Sequence, residues 1–422
     1  MMPNVPAIKF CLFRRALLGA LVLAVGFLGI ARAQAEPAPV APVAPINLAA
    51  PLPPVTFEDW RFVRGDDQTQ EFAMAFPSPL PSGDPTNDRV TLRVVLPTDR
   101  PGPHQVIVLL HYLGAGDDRF ERRAAARLAR RGFASVLVAL PYHLERTPPG
   151  RRSGELAVVP DVPRIRLTLA QAILDVRRTM DWVQTRPEFQ SKQVGLAGVS
   201  LGAIVAAGVA GTDPRAHPCA FLLGGIEVAH LLWNSSRVAA QRDTLRRQGW
   251  TEDRAAETLA DVEPLSYLRP DPNRISLVVQ ARFDTVVPKL CTQSLITALG
   301  NADVVTLDTG HFGGVFAEGP VLNEVGDFFT AAFRGQRRTG PTKLPAPTLR
   351  LAIQGAVGRG LDVGIGFDLW RSNARRDVFV PLLLTPRGLR LSPSVNVGGG
   401  FSLGASIDRS GVAPCFTWSV VL

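Results

Sequence analysis

Short runs of valine, isoleucine, leucine and alanine recur along the middle of the chain, separated by helix-like stretches. Val90–Leu96 alternates like an early strand, and Gln105–Leu110 and Ala134–Leu140 read as buried strands. Val194–Ala197, Ala220–Leu223, Ile275–Gln280 and Asp303–Thr306 complete the series. Asp118–Arg131 is helical and rich in Ala and Arg, Leu167–Gln184 is an amphipathic helix, and a small-residue helix starts at Ser200. Strands apolar on both faces and spaced by helices predict an α/β fold, with a mostly parallel central sheet flanked by helices. In such sheets functional groups gather at the carboxyl ends of the strands.

The period changes near residue 348. Leu349, Leu351 and Ile353 alternate with polar or small residues, as do Leu361, Val363, Ile365, Phe367 and Leu369, then Leu389 and Leu391, then Phe401, Leu403, Ala405 and Ile407. Gly358-Arg359-Gly360, Ser372-Asn373, Pro386-Arg387-Gly388 and Gly398-Gly399-Gly400 are turn signals. Residues 348–422 therefore predict a small antiparallel β module of about four to six strands. Alternation with frequent glycine is also the pattern of outer-membrane barrel strands, but about 75 residues fall short of an eight-stranded barrel. A module docked on the main domain or used for association is the favoured reading.

Linkers set the remaining boundaries. Residues 36–54 (EPAPVAPVAPINLAAPLPP) form an Ala/Pro-rich tether, and 336–347 are basic and proline-bearing without an apolar period. They delimit a main domain over 55–335. Within it 227–270 forms a helical insertion, read equally well as a cap over a site or as an ordinary packed excursion. Residues 1–35 read as a secretory signal: Lys9, Arg14 and Arg15 precede the apolar run Ala16–Ala31, and small residues lead to cleavage after Ala35. The expected location is the periplasm, cell envelope or exterior, with an uncleaved anchor as the alternative.

Composition then excludes whole classes. With 422 residues, 46% hydrophobic and 20% charged, the chain is not disordered, collagenous or a disulfide-stapled miniprotein. The formal charge of +9 is spread over helix-like stretches, the pattern of solvated faces and not of a nucleic-acid groove. Beyond the leader only Cys219, Cys291 and Cys415 remain, so at most one internal disulfide could form. No metal-ligand cluster or dinucleotide fingerprint is present, and no cofactor or metal is expected.

Candidate chemistry centres on Gly198-Val199-Ser200-Leu201-Gly202, between a buried strand and a helix. A serine nucleophile stands on a tight, strained turn, and Gly198 and Gly202 let the flanking backbones approach it. The helix that follows aims its positive end at developing negative charge. Among six histidines, His311 lies just past the last strand in a glycine-flanked loop. Asp284 follows a buried strand and precedes Val287-Pro288, which suits an acid that orients the imidazole; Glu227 is its rival, and Asp308 reads as a turn residue. The order Ser200, Asp284, His311 is that of the α/β-hydrolase design.

On HYLGAGDD (111–118), GVSLG (198–202), ARFDTVVP (281–288) and DTGH (308–311), the region from about Pro51 to Gly335 resembles the α/β-hydrolase superfamily. Within it the chain is similar to bacterial secreted hydrolases of the dienelactone-hydrolase and prolyl-oligopeptidase-like kind. The resemblance implies an oxyanion hole built from the backbone N–H of Leu201 and that of Leu113. Tyr112 departs from the glycine many members carry there. His111 is expected to brace this loop, and Asp117 and Asp118 to serve as a helix cap and a first-turn acid.

The implied function is an exported serine hydrolase that cleaves a small-molecule or lipid carboxylic ester through an acyl-enzyme. A peptidase or thioesterase of the same fold is the nearest alternative. A non-catalytic cell-envelope binding protein on a hydrolase scaffold is the alternative from another class. No nucleic-acid partner is expected, and envelope association could run through the N-terminal segment or the β module.

Overall fold

The computed structural model describes residues 44–372 and 378–422. The leader reading at 1–35 and the turn residue Asn373 lie outside the described residues. The main sheet has ten strands: β1 (Arg61–Gly65), β2 (Thr69–Pro77), β3 (Arg89–Pro97), β4 (His104–Leu110), β5 (Ala134–Val138), β6 (Phe189–Val199), β7 (Ala216–Leu222), β8 (Ser276–Ala281), β9 (Ala302–Leu307) and β10 (Lys343–Leu344). Their spatial order is β1-β2-β3-β5-β4-β6-β7-β8-β9-β10. The first three strands and the β3–β5 pair are antiparallel, and every pair from β5 through β10 is parallel.

Strands buried on both faces explain the continuous apolar runs. In β4, Val106, Val108 and Leu110 enter the layer under the helices Val162–Gln184 and Leu201–Thr212. Ile107 and Leu109 enter the opposite layer, under the helices Arg119–Ala129 and Glu318–Ala332. The helix read from Leu167 begins earlier, at Val162, capped by Asp161, whose carboxylate accepts the Arg164 N–H. Pro163, Arg164 and Arg166 interrupt the apolar period there and hide its first turn.

Three other segments differ from expectation. β1 and β2 extend the leading edge as a hairpin, while Lys343–Leu344, inside the expected linker, adds as a parallel edge strand to β9. Residues 44–54, inside the expected tether, lie on the helix Val162–Gln184. Leu48 is fully buried, Ala50 O accepts from Arg177, and Pro53 O accepts from Arg178. A chain segment too poor in apolar residues to pack a core of its own is held by carbonyls taken up by buried guanidinium groups.

After β10 the chain builds a second sheet: β11 (Leu349–Ala356), β12 (Gly360–Arg371), β13 (Val378–Thr385), β14 (Gly388–Leu391), β15 (Ser394–Gly398), β16 (Phe401–Asp408) and β17 (Gly411–Val421). All neighbours are antiparallel. β14 and β15 share one place between β13 and β16, and β12–β13 pairing closes the sheet on itself. The seven strands exceed the four to six expected. β13 (VFVPLLLT) is apolar at nearly every position, and β17 carries Pro414 and small polar residues, so neither shows clean alternation. One end of this barrel rests on the main domain. Thr348 Oγ1 donates to Asp308 O (2.7 Å), Thr309 Oγ1 to Pro347 O (2.8 Å), and the Gly313 N–H to Leu422 O (3.3 Å).

The main domain also contains a fully buried ion pair. Arg146 and Asp175 meet at 2.8 Å with both side chains wholly excluded from solvent. The guanidinium also donates to Asn87 O and Ala139 O, and Asp175 accepts from Ser78. The pair ties the loop after β5 to the helix Val162–Gln184. Removing one partner strands a buried charge, so Asp175→Ala should lower unfolding stability by about 3–5 kcal/mol. The double variant Arg146→Met/Asp175→Leu should lose clearly less. Urea denaturation of the three proteins checks the order.

Candidate active site

Ser200 sits at the junction between β6 and the helix Leu201–Thr212 with φ +53° and ψ −111°, a backbone state that side-chain-bearing residues rarely adopt. The flanking glycines are needed for contact. A Cβ on Gly198 would collide with the Gly202 carbonyl, and one on Gly202 with the carbonyls of Leu110 and His111. The turn is fixed by the Ser200 N–H donating to Leu222 O at 2.8 Å on β7. The side chain is thereby held at the carboxyl end of the sheet.

Two loops from neighbouring strands meet it there. His311 follows β9, and its Nε2 lies 3.1 Å from Ser200 Oγ. Asp284 follows β8, and its Oδ2 accepts from His311 Nδ1 at 2.8 Å. That bond places the imidazole proton on Nδ1 and leaves Nε2 free to accept the serine hydroxyl proton. The other carboxylate oxygen, Oδ1, accepts the N–H groups of Val286 (2.9 Å) and Val287 (2.8 Å), so Asp284 cannot rotate away. The His311 and Asp284 side chains are 9% and 8% exposed, buried enough to be ordered and open enough to be reached.

The loop after β4 forms the third wall. Two buried histidines brace it. The Leu140 N–H donates to His111 Nε2 (3.0 Å), and His111 Nδ1 donates to Tyr112 O (3.0 Å). The Gly114 N–H donates to His143 Nε2 (2.9 Å), and His143 Nδ1 donates to Pro141 O (2.8 Å). Each ring is used at both nitrogens as a neutral imidazole. Burial, with the neighbouring His143 and Arg146 adding to it, pushes His111 down to about 3; burial and Arg146 push His143 down to about 4. Among the described residues, the backbone N–H groups of Leu113 and Leu201 find no acceptor within the chain.

The family described as "Alpha/beta hydrolase domain containing 18" matches residues 59–267, a span that includes Ser200 and ends before Asp284 and His311. An acetyl xylan esterase from Paenibacillus sp. R4 is similar in structure, with a TM-score of 0.50 at 17% identity over 65% of this chain and 89% of that one. Acetyl xylan esterase 1 from Thermoanaerobacterium sp. JW/SL YS485 has a TM-score of 0.48 at 16% identity, over 64% and 88%. Among curated proteins none matches in sequence. Residues 59–267 match an α/β-hydrolase family, and the chain has the α/β-hydrolase fold.

Within this α/β-hydrolase the remaining candidates separate by position. Glu227 is occupied elsewhere: its carboxylate accepts from Ser294, and its own N–H donates to Glu263 Oε1 at 2.9 Å. Among the described residues it forms no hydrogen bond or ion pair with His311. Asp308 pairs with Arg282 at 3.0 Å on the surface. Asp118 pairs with Arg122 at 2.7 Å at the start of its helix, and Asp117 Oδ1 accepts the Arg119 N–H. Cys219, Cys291 and Cys415 are free and buried. No group of three or more His, Cys, Asp or Glu suited to a metal ion occurs among the described residues.

The helices of 227–270 pack into the main core through Leu232, Trp233, Leu245, Leu259 and Val262. They also support the acid loop, where the Ser236 N–H donates to Thr285 O (2.9 Å) and Leu231 packs on Val286 and Val287. His143 is the positioning residue that sequence reasoning passed over. Its loop carries no signal beyond proline content, and its role depends on Gly154, where any side chain would strike the His143 ring and Gly114.

Both buried rings bind protons once unfolded near pH 6.5 but not in the fold. Stability is therefore full above that pH and falls as pH drops from about 6.5 toward 4. Replacing His143 by Phe removes one of these two groups. Between about pH 7.5 and about pH 5 the variant should lose less stability than the parent, by about 2 kcal/mol. Urea midpoints at the two pH values measure this difference.

Proposed function

We propose that this α/β-hydrolase hydrolyses carboxylic esters with Ser200 as nucleophile. The observation that carries the reading is the unbroken chain Ser200 Oγ–His311 Nε2 and His311 Nδ1–Asp284 Oδ2, set on a strained elbow. His311 takes the hydroxyl proton as Ser200 Oγ attacks the acyl carbonyl, and returns it to the departing alkoxide. Asp284, locked by two backbone N–H groups, holds the tautomer and stabilises the imidazolium. The N–H groups of Leu201 and Leu113 receive the oxyanion, each worth about 3–4 kcal/mol of transition-state stabilisation. Water then attacks the acyl carbon as His311 takes its proton, and His311 returns that proton to Ser200 Oγ as the carboxylic acid leaves. Esters are favoured over amides because the similar structure from Paenibacillus sp. R4 is described as an acetyl xylan esterase. The leader reading at 1–35 adds export to the proposal: mature protein should begin at Glu36 on N-terminal sequencing.

A fluorophosphonate probe tests the nucleophile. The folded chain should be labelled, Ser200→Ala should not be, and p-nitrophenyl ester hydrolysis should fall by at least about 10⁴-fold in Ser200→Ala and in Asp284→Asn. Glu227→Ala should retain labelling. Labelling of Ser200→Ala, or no labelling of the folded parent chain, would overturn the assignment.

A further inference from the structure

The C-terminal barrel has its polarity reversed. Along β11 the inward positions are Arg350, Ala352, Gln354 and Ala356, while Leu351 and Ile353 face out. Along β12, Asp362 and Gly364 turn inward, and Leu361, Val363, Ile365, Phe367 and Leu369 all stand exposed. Charge pairs and side-chain hydrogen bonds run through the interior. Arg350 and Asp368 meet at 2.8 Å, Arg390 and Asp362 at 2.5 Å, and Gln354 donates to Ser392 (2.8 Å) and Thr417 (3.1 Å). A sheet folded against water buries its apolar face; this one has spent its closure on the polar face.

We propose that this barrel embeds its outer wall in the hydrocarbon of a lipid bilayer. Exposed apolar residues occur at every strand position around the wall: Ile353 on β11, Val363 on β12, Leu384 on β13, Val397 on β15, Leu403 on β16 and Phe416 on β17. Val363 is 55% and Leu403 57% exposed. A second protein covers one face of a barrel, whereas only a surrounding solvent covers all of it. Pairing of β12 with β13 from Ile365 to Arg371 closes the ring, so the sheet has neither a first nor a last strand, as hydrocarbon requires of a spanning sheet.

The ends of the band match the two boundaries of a membrane. At the end beside the main domain stand Trp370, Phe401 and Trp418, the last two cross-strand partners, where a membrane barrel carries its aromatic girdle. At the far end each hairpin carries an arginine: Arg359, Arg387 and Arg409. From Leu361 to Leu369 the outward row runs about 26 Å along the strand, or about 20 Å along the axis at the usual tilt. The 12 residues of β12 and 11 of β17 reach the about 9–11 residues of a spanning strand, β11, β13 and β16 have 8 each, and the shorter β14 and β15 share one place. The apolar surface continues toward the active site, since Phe312, Val315 and Phe316 are exposed directly after His311, in the loop that meets Leu422. Anchored this way, the candidate active site opens at the lipid surface.

The inference stands on the barrel and not on the proposed chemistry. The full chain is mixed with vesicles of phosphatidylethanolamine and phosphatidylglycerol and floated through a density gradient in 1 M NaCl. The parent and Ser200→Ala should float alike, so failure of the chemical reading leaves this result untouched. Val363→Arg/Leu403→Arg changes only exposed side chains. It should reduce the floated fraction at least tenfold while retaining hydrolysis of a soluble short-chain ester. Parent protein that stays at the bottom, or that is released by salt, overturns the proposal, as does equal flotation of the double variant. A discrete dimer lost in the double variant, without flotation of the parent, would assign the wall to a second copy instead.

Discussion

Everything at the candidate site depends on one backbone angle. Ser200 is held at φ +53° because β6 must turn into a helix without a spare residue, and the Gly198 and Gly202 backbones close to a distance that no Cβ tolerates. This strain aims Oγ out of the sheet and leaves the Leu201 N–H without a partner among the described residues. The surrounding fold sustains it: β7 accepts the Ser200 N–H, and β6, inside the ten-stranded sheet, anchors the entry to the turn. Relaxing the angle would withdraw the hydroxyl from His311 while leaving the remaining side chains where they are.

The loops that meet Ser200 are rigid for different reasons. Asp284 is fixed by two backbone donors, and His311 by Asp284, so the acid side is ordered by hydrogen bonding. The loop after β4 is ordered by two neutral imidazoles in a dry pocket, which work only because burial keeps them unprotonated. Arg146, paired with Asp175, adds a positive charge that helps keep both rings neutral. The three histidines are thus separated by environment: His111 and His143 accept backbone N–H groups, and His311 faces the serine.

Much of this was legible in the residues. Ser200 announced itself through two glycines between an apolar strand and a small-residue helix, and Asp284 and His311 through their places after β8 and β9. His143 did not, because its partners, Gly114 and Pro141, are set by a loop path with no period. The tether at 44–54 misread for a related reason: its anchors are main-chain carbonyls, which composition does not reveal. For the C-terminal module the alternation of Leu361 through Leu369 gave two faces but not which one turns inward. That is decided by closure between β12 and β13, and closure places the apolar row outside. Alternation carries a period without a sign.

A crystal structure of the protein with an alkyl boronic acid would test the central claim most directly. The account predicts a tetrahedral boron bonded to Ser200 Oγ. One boronate oxygen should lie within hydrogen-bond distance of the Leu113 and Leu201 N–H groups and another should face His311 Nε2. A boronate bound to a different residue, or one on Ser200 whose oxygens meet neither N–H group, would contradict it.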